Sequence, residues 1–313
     1  MATTNWTAAD IPDCTGKTVI VTGANSGIGY GATKQLAEKG AHVVMACRSA
    51  DRADAARRKL ESEVENASLD TMELDLASLD SVAQFAAAFT DRYSDLDVLV
   101  NNAGVMVPPF SKTEEGFELQ FGVNFIGHFA LTGQLLPMLL STPDSRVVTL
   151  SSLAHRRASI DFDNFRGEKS YSQWREYGQS KLADLMFALE LQRQLDAHDA
   201  DTISLAAHPG FTRTNLQRHS SLTDFGIGFF SMDQDQGALP TLYAATAPDA
   251  QAGGYYGPDG WFEIRGSPEP AKISTAARDE QVAKRLWEYA AEATGVTFFE
   301  EGDSEHDEET VEA

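Results

Sequence analysis

Short apolar, β-branched runs alternate with stretches of helical period along nearly all of this 313-residue chain. That alternation is what most restricts the fold. It calls for a parallel sheet covered by helices on both faces. Strands are expected at residues 17–22, 41–46, 69–74, 96–100, 146–150, 202–207 and, briefly, 254–256. Helices are expected at 27–39, 51–65, 78–93, 113–140, 174–197, 237–247 and 275–294, the first stopped by Gly40. The expected class is therefore α/β, a doubly wound, mostly parallel sheet of seven strands. No internal repeat and no Pro/Gly/Ser linker divides the chain, so residues 1–299 read as one domain. Two irregular stretches, 155–173 and 211–236, follow the C-terminal ends of strands, where open α/β sheets bind ligands. Residues 300–313 read as an acidic, disordered tail.

Composition excludes several classes. The net charge of −22 argues against a nucleic-acid backbone or an anionic membrane as partner. Self-repulsion of that size is tolerable chiefly where salt screens it, so a halophile's cytoplasmic protein is the sharper expectation and an ordinary acidic one the plainer. The longest apolar candidate, 125–140, is broken by His128, Gln134 and Pro137, so no membrane span is expected. Met1 to Asp13 lacks a basic region followed by an apolar one, which argues against a secretory signal. Two Cys fit a reducing compartment. The seven His have no paired helical spacing, so no metal site is expected, and no Gly-x-Ser-x-Gly elbow supports a hydrolase.

Two patterns carry chemistry. After the first strand comes Thr22-Gly23-Ala24-Asn25-Ser26-Gly27-Ile28-Gly29. Glycines there let the backbone turn tightly and approach a pyrophosphate, toward which the next helix aims its first N–H groups. Tyr177 and Lys181 stand one turn apart on one helix face. A free phenol titrates near ~10, and an adjacent ammonium favours its ionised form, which suits proton exchange with an alcohol oxygen. Spacing alone proves little: eight Tyr and nine Lys give about 0.2 such pairs by chance, and Tyr30…Lys34 is a second one. Its Lys34 lies a full turn beyond the phosphate turn, so that pair should face away from any substrate.

The Gly-x3-Gly-x-Gly turn, Asn101-Asn102-Ala103-Gly104 after the fourth strand and Tyr177-x3-Lys181 together resemble the short-chain dehydrogenase/reductase family over about residues 16–256. The resemblance implies a Rossmann-type fold that holds a nicotinamide dinucleotide. It implies that Gly23, Asn25, Ser26, Gly27, Ile28 and Gly29 bind the pyrophosphate, that Asp75 and Leu76 meet the adenine, and that Asn102, Ala103 and Gly104 form the cofactor-side wall. Pro209, Gly210 and Thr212 match the segment over the nicotinamide carboxamide. Tyr177 would be the acid/base, and Lys181 would also bind the ribose. Ser152 would hold the substrate oxygen; Ser151 is the neighbouring candidate, less favoured by its place at the strand end. A Ser capping a turn is the bland alternative. Asn124 matches an asparagine that holds a water in a proton relay; otherwise it kinks a long helix. Ser152 and Tyr177 are 25 positions apart, longer than the family's usual spacing, through the insert at 155–173. Similar inserts, and patterns like Ser152-Leu153-Ala154-His155, occur in the retinol-dehydrogenase-like branch.

At the end of the second strand an acidic residue suits NAD, whereas Arg suits the 2′-phosphate of NADP. Arg48, with Arg52 as helper, therefore favours NADP(H), with NAD(H) possible. Trp174, Phe211 and Phe225, if they line the pocket, imply a lipophilic carbonyl or alcohol substrate; loop packing is their other explanation. The function expected is alcohol–carbonyl interconversion by hydride transfer. A silent NAD(P)-binding sensor or scaffold is the alternative, although such relatives usually lack the Tyr, Lys or Ser. The family's habit of pairing through helices 113–140 and 174–197 implies a homodimer or homotetramer.

Overall fold

The computed structural model describes residues 5–210 and 233–299. Phe211, Thr212, Phe225, most of the expected loop 211–236 and the tail 300–313 lie outside the described residues.

Seven strands run parallel: β1 (Thr18–Thr22), β2 (His42–Cys47), β3 (Ser68–Glu73), β4 (Val98–Asn101), β5 (Arg146–Leu150), β6 (Ile203–Ala207) and β7 (Tyr255–Pro258). An eighth, β8 (Pro268–Pro270), pairs antiparallel with β7, in the order β3-β2-β1-β4-β5-β6-β7-β8. The seven-strand expectation is thus corrected by one. Its sequence, Pro-Glu-Pro, lacks a β pattern, and proline is tolerated only at an edge such as this. Helices α1 (Gly27–Glu38), α2 (Ala50–Glu63) and α7 (Gln234–Thr246) cover one face. The other carries α3 (Leu79–Arg92), the single turn α4 (Leu119–Phe121), α5 (Gly127–Ser141), α6 (Gln173–Ala197) and α8 (Glu280–Thr294). Along a strand successive side chains alternate between these cores: Ile20 lies in the α5–α6 core, whereas Val19 and Val21 lie in the α1–α7 core. Because both faces are buried, the inner strands such as β1, β2 and β4 read as largely apolar runs, whereas the edge strand β3 (SLDTME) does not.

The helix expected at 113–140 begins later. Lys112 and Glu118 form an isolated bridge around Gly116 at φ +83°, and the Glu118 carboxylate caps α4 by accepting from the Phe121 N–H. Between α4 and α5 the residues Gly122–Ile126 form a π turn that includes Asn124. The continuous stretch Leu119–Ser141 is long and apolar enough by composition to cross a membrane, contrary to the sequence expectation. However, 78% of its most apolar window is buried inside the fold, which accounts for that composition as core packing. Its outer side is closed by α8 and the residues after it: Trp287 and Phe298 contact Phe129 and Phe187, with ring centroids 4.7–6.1 Å apart. Truncating an aromatic side chain there to Ala would cost about 3–5 kcal/mol.

Candidate active site

The chain runs outward from β1 through β2 to β3, then returns to the other side of β1 as β4. The turns leaving β1 and β4 part company there, which opens a crevice at the C-terminal ends of the strands. Thr22 ends β1 and ties the two turns together. Its hydroxyl oxygen accepts from the N–H groups of Asn102 and Ala103 at 2.9 and 2.8 Å, and Asn102 Nδ2 donates to the Thr22 carbonyl at 2.6 Å. The Gly-rich turn has no room for a side chain at Gly23 or Gly29. Gly23 sits at φ +68°, and a Cβ on Gly29 would fall 2.5 Å from Asn102 Nδ2. Ser26 is the N-cap of α1, yet its side chain makes no capping bond. The hydroxyl and the first N–H groups of α1 are together available to an anion.

Around this cradle, Asn25, Gly27 and Ile28 complete the turn and the first residues of α1. Arg48, just past β2, and Arg52, in the first turn of α2, are exposed, and among the described residues neither forms an ion pair. Beyond β3, Asp75 Oδ1 accepts from the Ala77 N–H at 3.0 Å, which leaves its other oxygen for a ligand. Leu76 is buried against α5, where a Cβ on Gly127 would lie 2.6 Å from its carbonyl oxygen. Pro209 and Gly210 follow β6, with Gly210 at φ +67° and close against the Ile264 carbonyl.

Helix α6 lies against the end of β5. The Ser151 hydroxyl donates to the Lys181 carbonyl at 2.7 Å, so it serves to dock the helix. Ser152 is the residue left open: it is half-buried, and its hydroxyl only accepts a 3.2 Å bond from the Ala154 N–H. A hydroxyl in that state still has its proton to donate. Gly178 passes the Ala154 carbonyl so closely that a Cβ would meet it at 3.3 Å, which sets the start of α6 against the segment that follows Ser152. Tyr177 is largely buried, with Trp174 edge-on at a centroid distance of 6.3 Å. One turn deeper, Lys181 Nζ donates to the Leu150 carbonyl at 2.9 Å and to Asp184 Oδ2 at 2.8 Å.

Asn124 joins the β4 turn to α6. Its Oδ1 accepts from the Val105 N–H at 2.8 Å, and its Nδ2 donates to the Val105 carbonyl at 3.0 Å and to Ser180 Oγ at 2.9 Å. The π turn explains why an Asn sits inside a helical stretch, since such turns widen the backbone and recur at functional sites. One turn on, His128 is wholly buried. Its Nδ1 lies 2.7 Å from the Asn124 carbonyl and its Nε2 2.9 Å from Thr22 Oγ1. A carbonyl can only accept, so these partners assign the proton to Nδ1 and make Nε2 an acceptor. Burial holds the imidazole neutral, with its pKa pushed down to about 4.

The insert 155–173 is a fixed wall. Phe165 stacks on Phe121 at 4.2 Å, and the Tyr171 hydroxyl donates to the Pro108 carbonyl at 2.6 Å. Sequence reasoning missed the clamp beside it. Glu263, from the β7–β8 loop, pairs with Arg156 at 2.5 Å and bonds the buried His208 Nε2 at 3.0 Å. His208 Nδ1 in turn accepts from the Gly210 N–H at 3.2 Å, so it is the Nε2 that carries the proton. Glu263 is pulled down to about 2: burial opposes this, but the bonds from His208 and Arg156 outweigh it. Phe262 and Glu263 both take positive φ, at 55° and 57°, and no sequence signal marks them.

Comparison with known proteins bears on the family and the fold. A family model described as short chain dehydrogenase matches residues 17–224. Human retinol dehydrogenase 13 is 40% identical over 292 residues, covering 90% of this chain and 85% of that protein. Human retinol dehydrogenase 11 is 38% identical over 286 residues, covering 90% and 86%. A crystal structure of an uncharacterized protein from Mycobacterium paratuberculosis superposes with a TM-score of 0.81 at 41% identity, covering 94% of this chain and 99% of that one.

Proposed function

The chain belongs to the short-chain dehydrogenase family, on its retinol-dehydrogenase-like branch. From that premise we propose an NADP(H)-dependent oxidoreductase that interconverts a lipophilic alcohol and its carbonyl, with Tyr177 as general acid/base. The observation that carries this reading is the placement of Lys181, whose ammonium is fixed at the Leu150 carbonyl one turn along α6 from Tyr177, at the strand end that runs on into Ser152 with its open hydroxyl.

A nicotinamide dinucleotide fits the residues present. The cradle at Gly23 and Gly29 is the space a Cβ would fill, and the uncapped Ser26 stands at the start of α1. Arg48 and Arg52 support the phosphorylated form, because their guanidinium groups lack ion-pair partners and match a phosphate's geometry. When bound, the dinucleotide supplies the hydride acceptor or donor. The protein's own part is proton handling and orientation. Ser152 donates to the substrate oxygen and holds it near Tyr177. In reduction the Tyr177 hydroxyl gives its proton to that oxygen as charge develops there; in oxidation the phenolate takes it back. The Lys181 ammonium favours the phenolate, and Asn124 braces the β4 turn against the same helix. Trp174 and Phe110, both exposed, and the insert wall offer an apolar mouth that suits a long hydrocarbon. The relatives named for retinol support a lipophilic substrate.

Titration with NADPH and NADH, followed by an absorbance screen of aldehydes and ketones from small sugars to retinal-like chains, tests the reading. NADPH should bind more tightly, and long apolar carbonyls should turn over fastest. Arg48→Ala should raise the KM for NADPH roughly 10- to 100-fold, the strength of a charged hydrogen bond, and leave that for NADH within about twofold. Tight NADPH binding without turnover of any carbonyl would instead favour a sensor.

A further inference from the structure

Besides the Leu150 carbonyl, Lys181 has a second hydrogen-bond partner, which lies outside the Tyr-x3-Lys pair. Asp184 lies one turn further along α6, on the side of Lys181 away from Tyr177, and both side chains are buried. Its Oδ2 accepts from Lys181 Nζ at 2.8 Å, whereas its Oδ1, equally buried, makes no hydrogen bond among the described residues. Among the described residues it caps no helix and hydrogen-bonds to no other element.

A buried carboxylate held by one bond is costly to desolvate, so an apolar side chain would serve the core better. An ammonium has three donors. Leu150 and Asp184 take two, and Nζ lies close enough to the β4 turn that a Cβ on Gly104 would stand 3.7 Å away. One donor therefore remains for a ligand lying over that turn.

We propose that Asp184 is the positioning residue of Lys181: it anchors the ammonium at the depth from which its remaining donor serves the crevice, and it offsets part of the charge that Lys181 presents to Tyr177. This rests on the acid/base reading of Tyr177 and Lys181 given above. Burial pushes the Asp184 carboxyl up, and the Lys181 ammonium opposes this. Among the described residues, Lys181 is the charged side chain paired with it. Across the helix interface, His128 of α5 feels the Lys181 charge but stays neutral, and on α6 itself Tyr177 completes the stripe.

Asp184→Asn keeps an oxygen that can accept from Nζ but removes the negative charge. Asp184→Leu removes both, and Tyr177→Phe is the control. Two measurements are made on each: NADPH affinity by fluorescence, and kcat for oxidation of the best alcohol from the screen, across pH. The acid limb of the Asp184→Asn profile should move roughly 0.5–1 unit toward lower pH, because an uncompensated ammonium favours the phenolate more strongly. Its NADPH affinity should stay within about twofold. Asp184→Leu should bind NADPH about tenfold more weakly, since the ammonium is no longer held. An Asp184→Asn profile that superimposes on the parent's, while Tyr177→Phe is inactive, overturns the charge role and leaves the acid/base reading intact. Should Tyr177→Phe keep full turnover, the acid/base reading falls instead. NADPH affinity then decides the anchoring role alone, and parent-like binding by Asp184→Leu overturns it.

Discussion

The chain carries the same Tyr-x3-Lys pair twice, on α1 and on α6, and the surroundings make them different objects. On α1 the Tyr30 hydroxyl donates to Glu63 at 3.2 Å, and Lys34 lies 3.7 Å from the same carboxylate and 3.8 Å from Asp235. Both members share one anion. Burial, and then the charge and bond of Glu63, push the Tyr30 phenol up to about 12. On α6 the carboxylate is Asp184, which touches the amine and stands on its far side from the phenol. A carboxylate placed against a phenol holds its proton on; one placed behind the amine leaves the phenol free to exchange it. Spacing supplies the pair, and the position of the third group decides its use.

The largest expected effect breaks the symmetry outright. Tyr177→Phe should lower kcat by about 10³-fold or more, toward the upper end of what a general acid/base contributes. Tyr30→Phe should leave kcat within twofold. Lys181→Ala should follow Tyr177→Phe, with weaker coenzyme binding as well, whereas Lys34→Ala removes only partly exposed ion pairs of less than about 1 kcal/mol. Steady-state kinetics on the four variants checks this, and comparable losses in both members of either Tyr or Lys set would contradict it.

A second feature lies close to the α6 pair, where His128, near enough to feel the Lys181 charge, joins the Asn124 carbonyl to Thr22. The folded-state pKa of His128, about 4, is below the ordinary histidine value near ~6.5. Between those values the unfolded chain binds a proton that the folded chain refuses. The stability contributed by neutral His128 is therefore complete above about pH 6.5 and is lost as pH falls toward 4. The loss should be on the order of 3 kcal/mol. Denaturant unfolding of the parent and of His128→Gln at each pH isolates it, because His155 and His208, also held neutral by burial, cancel in the difference. The parent's advantage over His128→Gln should shrink across that window, and a constant difference would mean that His128 does not titrate there.

What was legible in the sequence follows the range of the interactions involved. The parallel sheet, the Gly-rich turn and the Tyr–Lys stripe depend on neighbours within a few positions, and residues 146–150 form a strand with the bounds expected. Asn102 and Ser152 follow the neighbouring strands β4 and β5, and hydrogen bonds bring Asn124 to the turn after β4 and Lys181 to the end of β5. Features made by distant residues were not legible. β8 is a strand only because β7 offers it an edge, and the helix expected from Thr113 starts at Leu119 because 112–118 folds back on itself. The Arg156–Glu263–His208 clamp joins three loops separated by more than fifty positions, and no local pattern announces it. Asp184 is the exception, since three residues past Lys181 on a helix is a spacing that the sequence could have flagged.

The smallest effect is the sharpest check on the comparison. Glu63→Gln takes the anion away from Tyr30 and Lys34 without touching the crevice. The Tyr30 phenol should then titrate below its present value of about 12, though still above ~10, because burial remains. An ultraviolet pH titration of Glu63→Gln against Glu63→Gln/Tyr30→Phe reads that one group. Stability should change by less than about 1 kcal/mol, since the carboxylate and Lys34 are both part-exposed. Turnover should not change at all: the α1 pair is left with a still-buried phenol and an amine that keeps Asp235, but no Ser152 and no crevice. If kcat nonetheless rose or fell severalfold, the two pairs would be communicating through α1 and the phosphate turn, and the site could not be confined to α6 and the ends of β4 and β5.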